Sequence, residues 1–423
     1  MRKRAARFCA GGHPPRVSSS GVPRRVCRIG SRSYPRGATV RYRVRCLTPL
    51  LVGDGRRLAP VDYMVWKDQV NVLDQRRIFS LLARGPRLEG YLAQLKKTDR
   101  LDFSSWGGFA QNFAGRRIPF EHPSLTRHWE KAPLESLHIP TFTSGPQGPY
   151  LPASALRGAL RTGIVAARAA KESLEKIAAR MEGERPPRHP AEELENAVLG
   201  TAGADRMRVT QFSDSAPVDA SCFKVFLLRI AALLPQSRGG GFALGWKQSP
   251  RGYAPGASPH EGAPLFAEMA VPGTVFEGEW KENTFLRDRE VARALNWENP
   301  LSVGELLAAA NSLASALLLQ QKRYAELAGL SQLRQEMDRL GASLETARQR
   351  GNQCLLCMGW GGGLLARLAW LETDDPAYRR IAEKSKVAKS VHQGLPLPKT
   401  RRVVFMEDRP ATLPGWVVLE LGS

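Results

Sequence analysis

The chain has 423 residues, 43% of them hydrophobic, a globular composition with apolar material enough for two or three domains. Its 62 Lys and Arg against 40 Asp and Glu leave a formal net charge of +22, which points to a polyanionic partner, because cationic surfaces gain by releasing counterions from phosphates. Six scattered cysteines exclude a disulfide scaffold, and the apolar run FKVFLLRIAALLP is interrupted by Lys224 and Arg229 and is too short to span a bilayer. The basic start MRKRAARFCAGGHPP lacks the apolar stretch of a secretory signal. A reduced, cytoplasmic protein with no membrane partner is expected.

Residues 1–38 are rich in Arg, Gly, Ser and Pro without periodicity, the composition of a disordered arm or of one that orders on nucleic acid. The first strand is expected in ATVRYRVRCLTPL, where Val40, Tyr42, Val44 and Cys46 alternate with Arg41, Arg43 and Arg45. The turn LVGDGRRLAP follows, and VDYMVWKDQVNVLD alternates as a hairpin. QRRIFSLLARG reads as a short helix ending at Gly85, and residues 100–150 as loop. LRGALRTGIVAARAAKESLEKIAARM reads as one helix, PAEELENAVLG as a second stopped by Gly200, and RMRVTQFSDS and CFKVFLLRIAAL as strands. After a Gly-rich break, PLFAEMAVPGTVFEGEW reads as a second hairpin with a Pro-Gly turn, and two long helices follow. Leu330, Leu333, Met337, Leu340 and Leu344 step by three and four, a stripe that packs within its own domain. LPGWVVLELGS is a closing strand. Each half thus carries a strand, strand pairs and helices, which suits an α+β fold of two ferredoxin-like units.

Three segments carry candidate chemistry. In VGDGRRL, Gly53 and Gly55 bracket Asp54 before Arg56 and Arg57, so backbone and charge could meet a phosphate; the local sequence slightly favours an ordinary strand–strand turn. In CMGWGGGLLARL, Gly359, Gly361, Gly362 and Gly363 surround Trp360 before an apolar helical run; backbone N–H groups there could cradle phosphate and Trp360 could stack a base. The pattern is neither a Walker loop nor a dinucleotide fingerprint. In PYLPASALRGALRTGIV, Arg157 and Arg161 lie one turn apart on one helix face, placed either for successive phosphates or for internal ion pairs. Cys354 and Cys357 have zinc-ligand spacing but no second pair, so buried thiols and no metal are expected. No His–Asp dyad and no hydrolase or metalloprotease motif is legible, so a non-enzyme without cofactor is expected.

The order of these segments, TPLLVGDG, DYMV, YLPASALRGALRTGIV, FSDSAP, VPGTVFEG and GWGGGLLARL, resembles the RAMP proteins of CRISPR–Cas systems, and within them the fifth subunits of type III-A Csm effector complexes. The resemblance runs from Val40 onward. It implies two tandem RRM-like RAMP domains, here residues 39–235 and 236–423, with a helical insertion at about 303–350. Pro152, Ser154, Arg157, Gly158, Arg161 and Thr162 match the family's helix-opening segment, with Ala153 where Gly or Ser is usual and Arg157 where Lys is common. The resemblance implies that this helix start faces the crRNA backbone, together with Gly53, Asp54, Gly55 and Arg56, the late Gly-rich loop and Trp360, and Lys399, Arg401 and Arg402 of LPKTRRVVF. It further implies one copy per complex, at the crRNA 3′ end, beside backbone RAMP subunits, the small helical subunit and target RNA. A different type III RAMP role, tag-binding or backbone, and a RAMP-type guide-processing endoribonuclease are the alternatives. The absence of GGDD sets the chain apart from the large cyclase-bearing subunit.

Overall fold

Alternation decides the first strand. β1 (Val40–Cys46) buries Tyr42, Val44 and Cys46 and exposes Arg41, Arg43 and Arg45. The computed structural model describes residues 40–422 except 84, 86, 98–111, 237–240, 250–251, 255–257, 299 and 386–395. The expected basic arm of residues 1–38 lies outside the described residues.

β2 (Tyr63–Trp66) and β3 (Gln69–Leu73) form the expected hairpin. Lys67 and Asp68 at its tip take φ of 50° and 56°, the left-handed pair that a two-residue turn needs to match strand twist. α1 (Gln75–Leu82) and α2 (Arg87–Lys97) follow. β4 (Ala114–Pro119) then adds a third strand beside β3, and α3 is Leu125–Glu130. The sequence reading has loop here, because the inward positions of AGRRIP are Ala114, Arg116 and Ile118, and an arginine among them breaks the apolar alternation.

α4 (Ala153–Arg168) and α5 (Lys171–Glu182) are two helices where one was expected. Ala169 and Ala170 between them are extended, and the break turns α5 away so that Leu174 and Ala178 pack with Ala377, Tyr378 and Ala382. α6 (Pro190–Leu199) stops at Gly200, whose φ is 86°. β5 (Thr210–Phe212), β6 (Phe223–Pro235), β7 (Phe242–Trp246), β8 (Leu265–Ala270) and β9 (Val275–Glu282) come next. Residues 206–209 of the expected strand RMRVTQFSDS are a 3-10 turn instead. α7 (Arg289–Ala294), α8 (Val303–Leu327) and α9 (Ser331–Arg350) precede β10 (Gln353–Cys357), α10 (Pro376–Lys384), β11 (Thr400–Met406), β12 (Arg409–Thr412) and β13 (Trp416–Leu421).

These strands make two antiparallel sheets. One has the order β10–β13–β1–β9–β5; the other has β7–β6–β11–β12, with β8 also pairing β6. The fold is the expected α+β one, and both sheets draw strands from either side of residue 235. The expected second hairpin is corrected accordingly: β8 pairs β6 in one sheet while β9 pairs β1 in the other. The Pro272–Gly273 turn, with Gly273 at φ 91°, is the corner where the chain crosses between sheets.

Central strands are apolar on both faces, since β10 places Cys354 and Leu356 in one core and Leu355 and Cys357 in the other. That double burial explains why CLLC, WVVL and FLLRIAALL do not alternate. The α8–α9 pair is the expected helical insertion, and the stripe Leu333, Met337, Leu340 and Leu344 is buried within the molecule. α8 is long and apolar enough to cross a membrane by length and composition, yet it packs against α4, α9 and β10 as a core helix.

Candidate nucleic-acid interface

The three segments singled out in the sequence converge on one groove of about 830 Å³. Its walls are the turn Gly53–Arg57, the first turns of α4 through Ser154, Ala155, Gly158 and Thr162, and the loop Met358–Trp360. Backbone hydrogen bonds fix them together. Trp360 N–H donates to Leu51 O at 2.8 Å, Met358 N–H to Gly415 O at 2.8 Å, and Gly415 N–H to Pro49 O at 3.0 Å.

α4 starts at this groove for a local reason. Pro152 is its extended N-cap, and Asp214 of the FSDSAP segment accepts from Ala153 N–H at 2.8 Å in place of a capping side chain. Gly163 explains part of the helix's small-residue character, since a Cβ there would lie 3.1 Å from Ala310 Cα of α8. Gly158 differs, because a Cβ would meet nothing within 4 Å and the residue faces the open groove.

The charge is arranged less simply than the sequence implies. Arg56 is 80% exposed and bends back on Asp54, whose carboxylate also accepts from Arg56 N–H at 3.0 Å. Arg57 and Arg367 are exposed on the groove wall, and neither has an ion-pair partner among the described residues. Arg161 is committed inward, to Glu195 at 2.9 Å and Asp205 at 2.7 Å. Arg157 reaches the same Asp205 only at 3.8 Å and stays 46% exposed. The two arginines therefore differ: Arg161 is paired internally, while Arg157 keeps much of its side chain open to solvent.

The glycine-rich loop has packing reasons of its own. A Cβ on Gly359 would lie 2.4 Å from Leu51 O, one on Gly361 2.2 Å from Pro414 Cγ, and one on Gly362 2.8 Å from Ala366 Cβ. The chain's own packing requires these glycines. Gly363, at φ 68°, has open space before it. The expected helix after the loop is only the 3-10 turn Leu365–Arg367. Trp360 has the Arg402 guanidinium 4.3 Å from its ring centroid, and Arg402 donates to Trp360 O at 2.9 Å. Burial and the nearby Arg367 lower the Arg402 pKa. Arg401 does not share an open surface with Lys399: it is 6% exposed, stacked on Tyr324 at 4.3 Å and bonded to Pro398 O. Cys354 and Cys357, three apart on a strand, point to opposite faces, and burial raises both thiols, Cys357 to about 12.

Sequence reasoning missed one cluster. His128 and Asp408, 280 residues apart, meet at 2.7 Å, and His260 stacks on His128. The buried Arg229 approaches His128 Nδ1 at 3.3 Å. A guanidinium can only donate, so Nδ1 accepts and Nε2–H donates to Asp408. Both ring nitrogens are engaged, and the cluster ties α3 to the β11–β12 turn.

A model of the RAMP superfamily matches residues 43–294. The chain belongs to the RAMP superfamily. No curated protein sequence matches it. Among solved structures, this RAMP protein is similar to a chain of the Csm–crRNA–target RNA ternary complex of a type III-A CRISPR–Cas system, with TM-score 0.63 and 22% identity over 90% of this chain and 100% of that one. It is also similar to the crystal structure of T. onnurineus Csm5, with TM-score 0.56 and 18% identity over 89% of this chain and 99% of that one. The groove of this RAMP protein is built from segments on both sides of the matched region's end, since Trp360 and Arg367 lie beyond residue 294.

Proposed function

We propose that this RAMP protein is a non-catalytic crRNA-binding subunit of a type III-A Csm effector complex, seated at the 3′ end of the guide and capping the filament of backbone subunits. The observation that carries this reading is the groove itself. Three sequence segments converge there, with Arg56, Arg57 and Arg367 exposed along it and Gly158 leaving room for close approach. Such a groove can hold single-stranded RNA by phosphate contacts without reading base edges. The fold likeness over 90% of the chain to a subunit of a crRNA-bearing complex supports the same assignment. Its neighbours would be backbone RAMP subunits and the small helical subunit, with target RNA in the assembled particle.

The test is to purify the complex with and without this chain and to sequence the bound guides. Loss of guides or altered 3′ ends, with target cleavage chemistry retained, is expected. Unchanged guide abundance and 3′ ends would defeat the capping role. A stoichiometry above one copy per complex would move the assignment to a backbone subunit.

A further inference from the structure

One side chain on the groove has a charge opposite to its neighbours. Glu135 is the single carboxylate among the described residues that line the groove, where the other charged side chains are Arg56, Arg57 and Arg367. Its backbone is held firmly. Leu134–Leu137 is a 3-10 turn with Ser136 and Leu137 buried, and the Tyr63 hydroxyl donates to Leu137 O at 2.6 Å. The chain then runs into Ile139–Pro140, which pairs with Arg57–Leu58, and Thr141 N–H donates to Arg56 O at 3.3 Å. Glu135 and Arg57 are thus presented from two backbone stretches hydrogen-bonded to each other. They do not neutralise one another. Both are exposed, and neither has an ion-pair partner among the described residues.

An acid on this wall has consequences for the ligand. A carboxylate accepts hydrogen bonds and donates none, so beside a phosphate chain it repels unless the sugar or the base supplies a donor. The ribose 2′-hydroxyl is a donor that every RNA nucleotide carries and DNA lacks. Over RNA, the carboxylate gains a charge-assisted hydrogen bond that offsets the repulsion. Over DNA, the repulsion stands alone. A repulsive element that only the correct ligand relieves is a source of specificity distinct from affinity.

We infer that Glu135 selects RNA over DNA in this groove, by accepting a hydrogen bond from one ribose 2′-hydroxyl while Arg57 meets a neighbouring phosphate. The inference rests on the groove holding RNA, as proposed above. It adds a sugar-reading residue to a surface otherwise suited to phosphates, and it leaves base sequence unread, because every ribonucleotide offers the same hydroxyl.

The experiment uses the full chain and three single strands of one sequence and length: RNA, DNA and fully 2′-O-methylated RNA. The methylated strand keeps the ribose 2′-oxygen but loses its donor, so it separates hydrogen bonding from backbone shape. Binding isotherms at one salt concentration should show RNA held about tenfold more tightly than either of the others, the worth of one charge-assisted hydrogen bond. Glu135→Ala should bind DNA more tightly than the wild type does and RNA no more tightly, so the preference collapses. Glu135→Gln keeps an acceptor without the charge, and its preference should fall between the two. An exposed side chain without partners leaves the fold intact when replaced, which thermal unfolding of both variants checks. Equal wild-type binding of RNA and DNA would overturn the inference. So would a Glu135→Ala variant that binds all three strands more tightly by the same factor, since that is repulsion alone. In either case, RNA binding that Arg57→Ala still weakens would leave the groove reading standing. RNA binding that is absent, or indifferent to Arg57→Ala, would defeat that reading and the role of Glu135 with it.

Discussion

Gly361 and Gly363 stand two residues apart in one loop with opposite surroundings. A methyl group on Gly361 would collide with the Pro414 ring, which is rigid, while one on Gly363 would meet open space and bear only the strain of a positive φ. Gly361→Ala should therefore destabilise the protein by about 2–3 kcal/mol, the cost of overpacking a closed site, and Gly363→Ala by about 1 kcal/mol. Denaturant midpoints at a common slope would check both, and equal losses would contradict the packing account. The arginines of α4 make a parallel pair. Arg161, held by two carboxylates and 27% exposed, should cost about 1–3 kcal/mol on replacement by Ala. Arg157, with one long contact, should cost under about 1 kcal/mol. If Arg157 serves RNA, Arg157→Ala should release bound RNA at unchanged stability. At this scale the sequence was informative about residue type and silent about direction. A four-residue spacing puts two arginines on one face, but only the packing of α6 and the 202–209 segment decides which of them Glu195 and Asp205 claim. Glycine likewise signals close approach without saying whether backbone, ring or ligand approaches.

Single elements were legible wherever one face is wet. β1 and the β2–β3 hairpin were legible because arginines or turn residues mark their exposed side. The fate of β8 and β9 was not, since a Pro-Gly turn between two strands looks the same whether they pair with each other or diverge into separate sheets. What separates them is a partner far away in sequence, β6 for one and β1 for the other. A buried charge holds this junction. Glu268 of β8 is fully buried, pairs with Arg116 of β4, and accepts from Phe142 N–H at 3.3 Å. Arg116 thereby fastens the small three-stranded lobe onto the second sheet. Arg116→Met would leave the Glu268 carboxylate without its cation, an expected loss of about 3–5 kcal/mol. Adding Glu268→Gln to that variant should recover part of the loss, because a neutral amide can still accept from Phe142 and needs no counter-charge. Unfolding curves of the three proteins would show it, and a double variant no more stable than Arg116→Met would refute the charge argument.

For the whole molecule, the excess of 22 positive charges was the earliest clue, and few of the residues that carry it line the groove. Many arginines are spent internally, as Arg161, Arg168, Arg229 and Arg401 are, in ion pairs or in bonds to backbone carbonyls. The groove contributes Arg56, Arg57 and Arg367, with Arg157 nearby on α4. RNA binding should accordingly weaken with salt by an amount set by those few residues rather than by the total charge. Each phosphate neutralised on a single strand contributes about 0.7 to the slope of log affinity against log salt, so three or four contacts predict a slope of about −2 to −3. Replacing Arg57 by Ala should lower the slope by about 0.7, the share of one phosphate contact, and the loss of affinity should be the same for unrelated base sequences, because a phosphate contact carries no sequence information. Binding isotherms of the full chain on two unrelated single strands, at four or more salt concentrations, measure both quantities. A much steeper slope that Arg57→Ala leaves unchanged would place the RNA on some other basic surface of the molecule, and a loss confined to one of the two strands would mean that Arg57 reads a base.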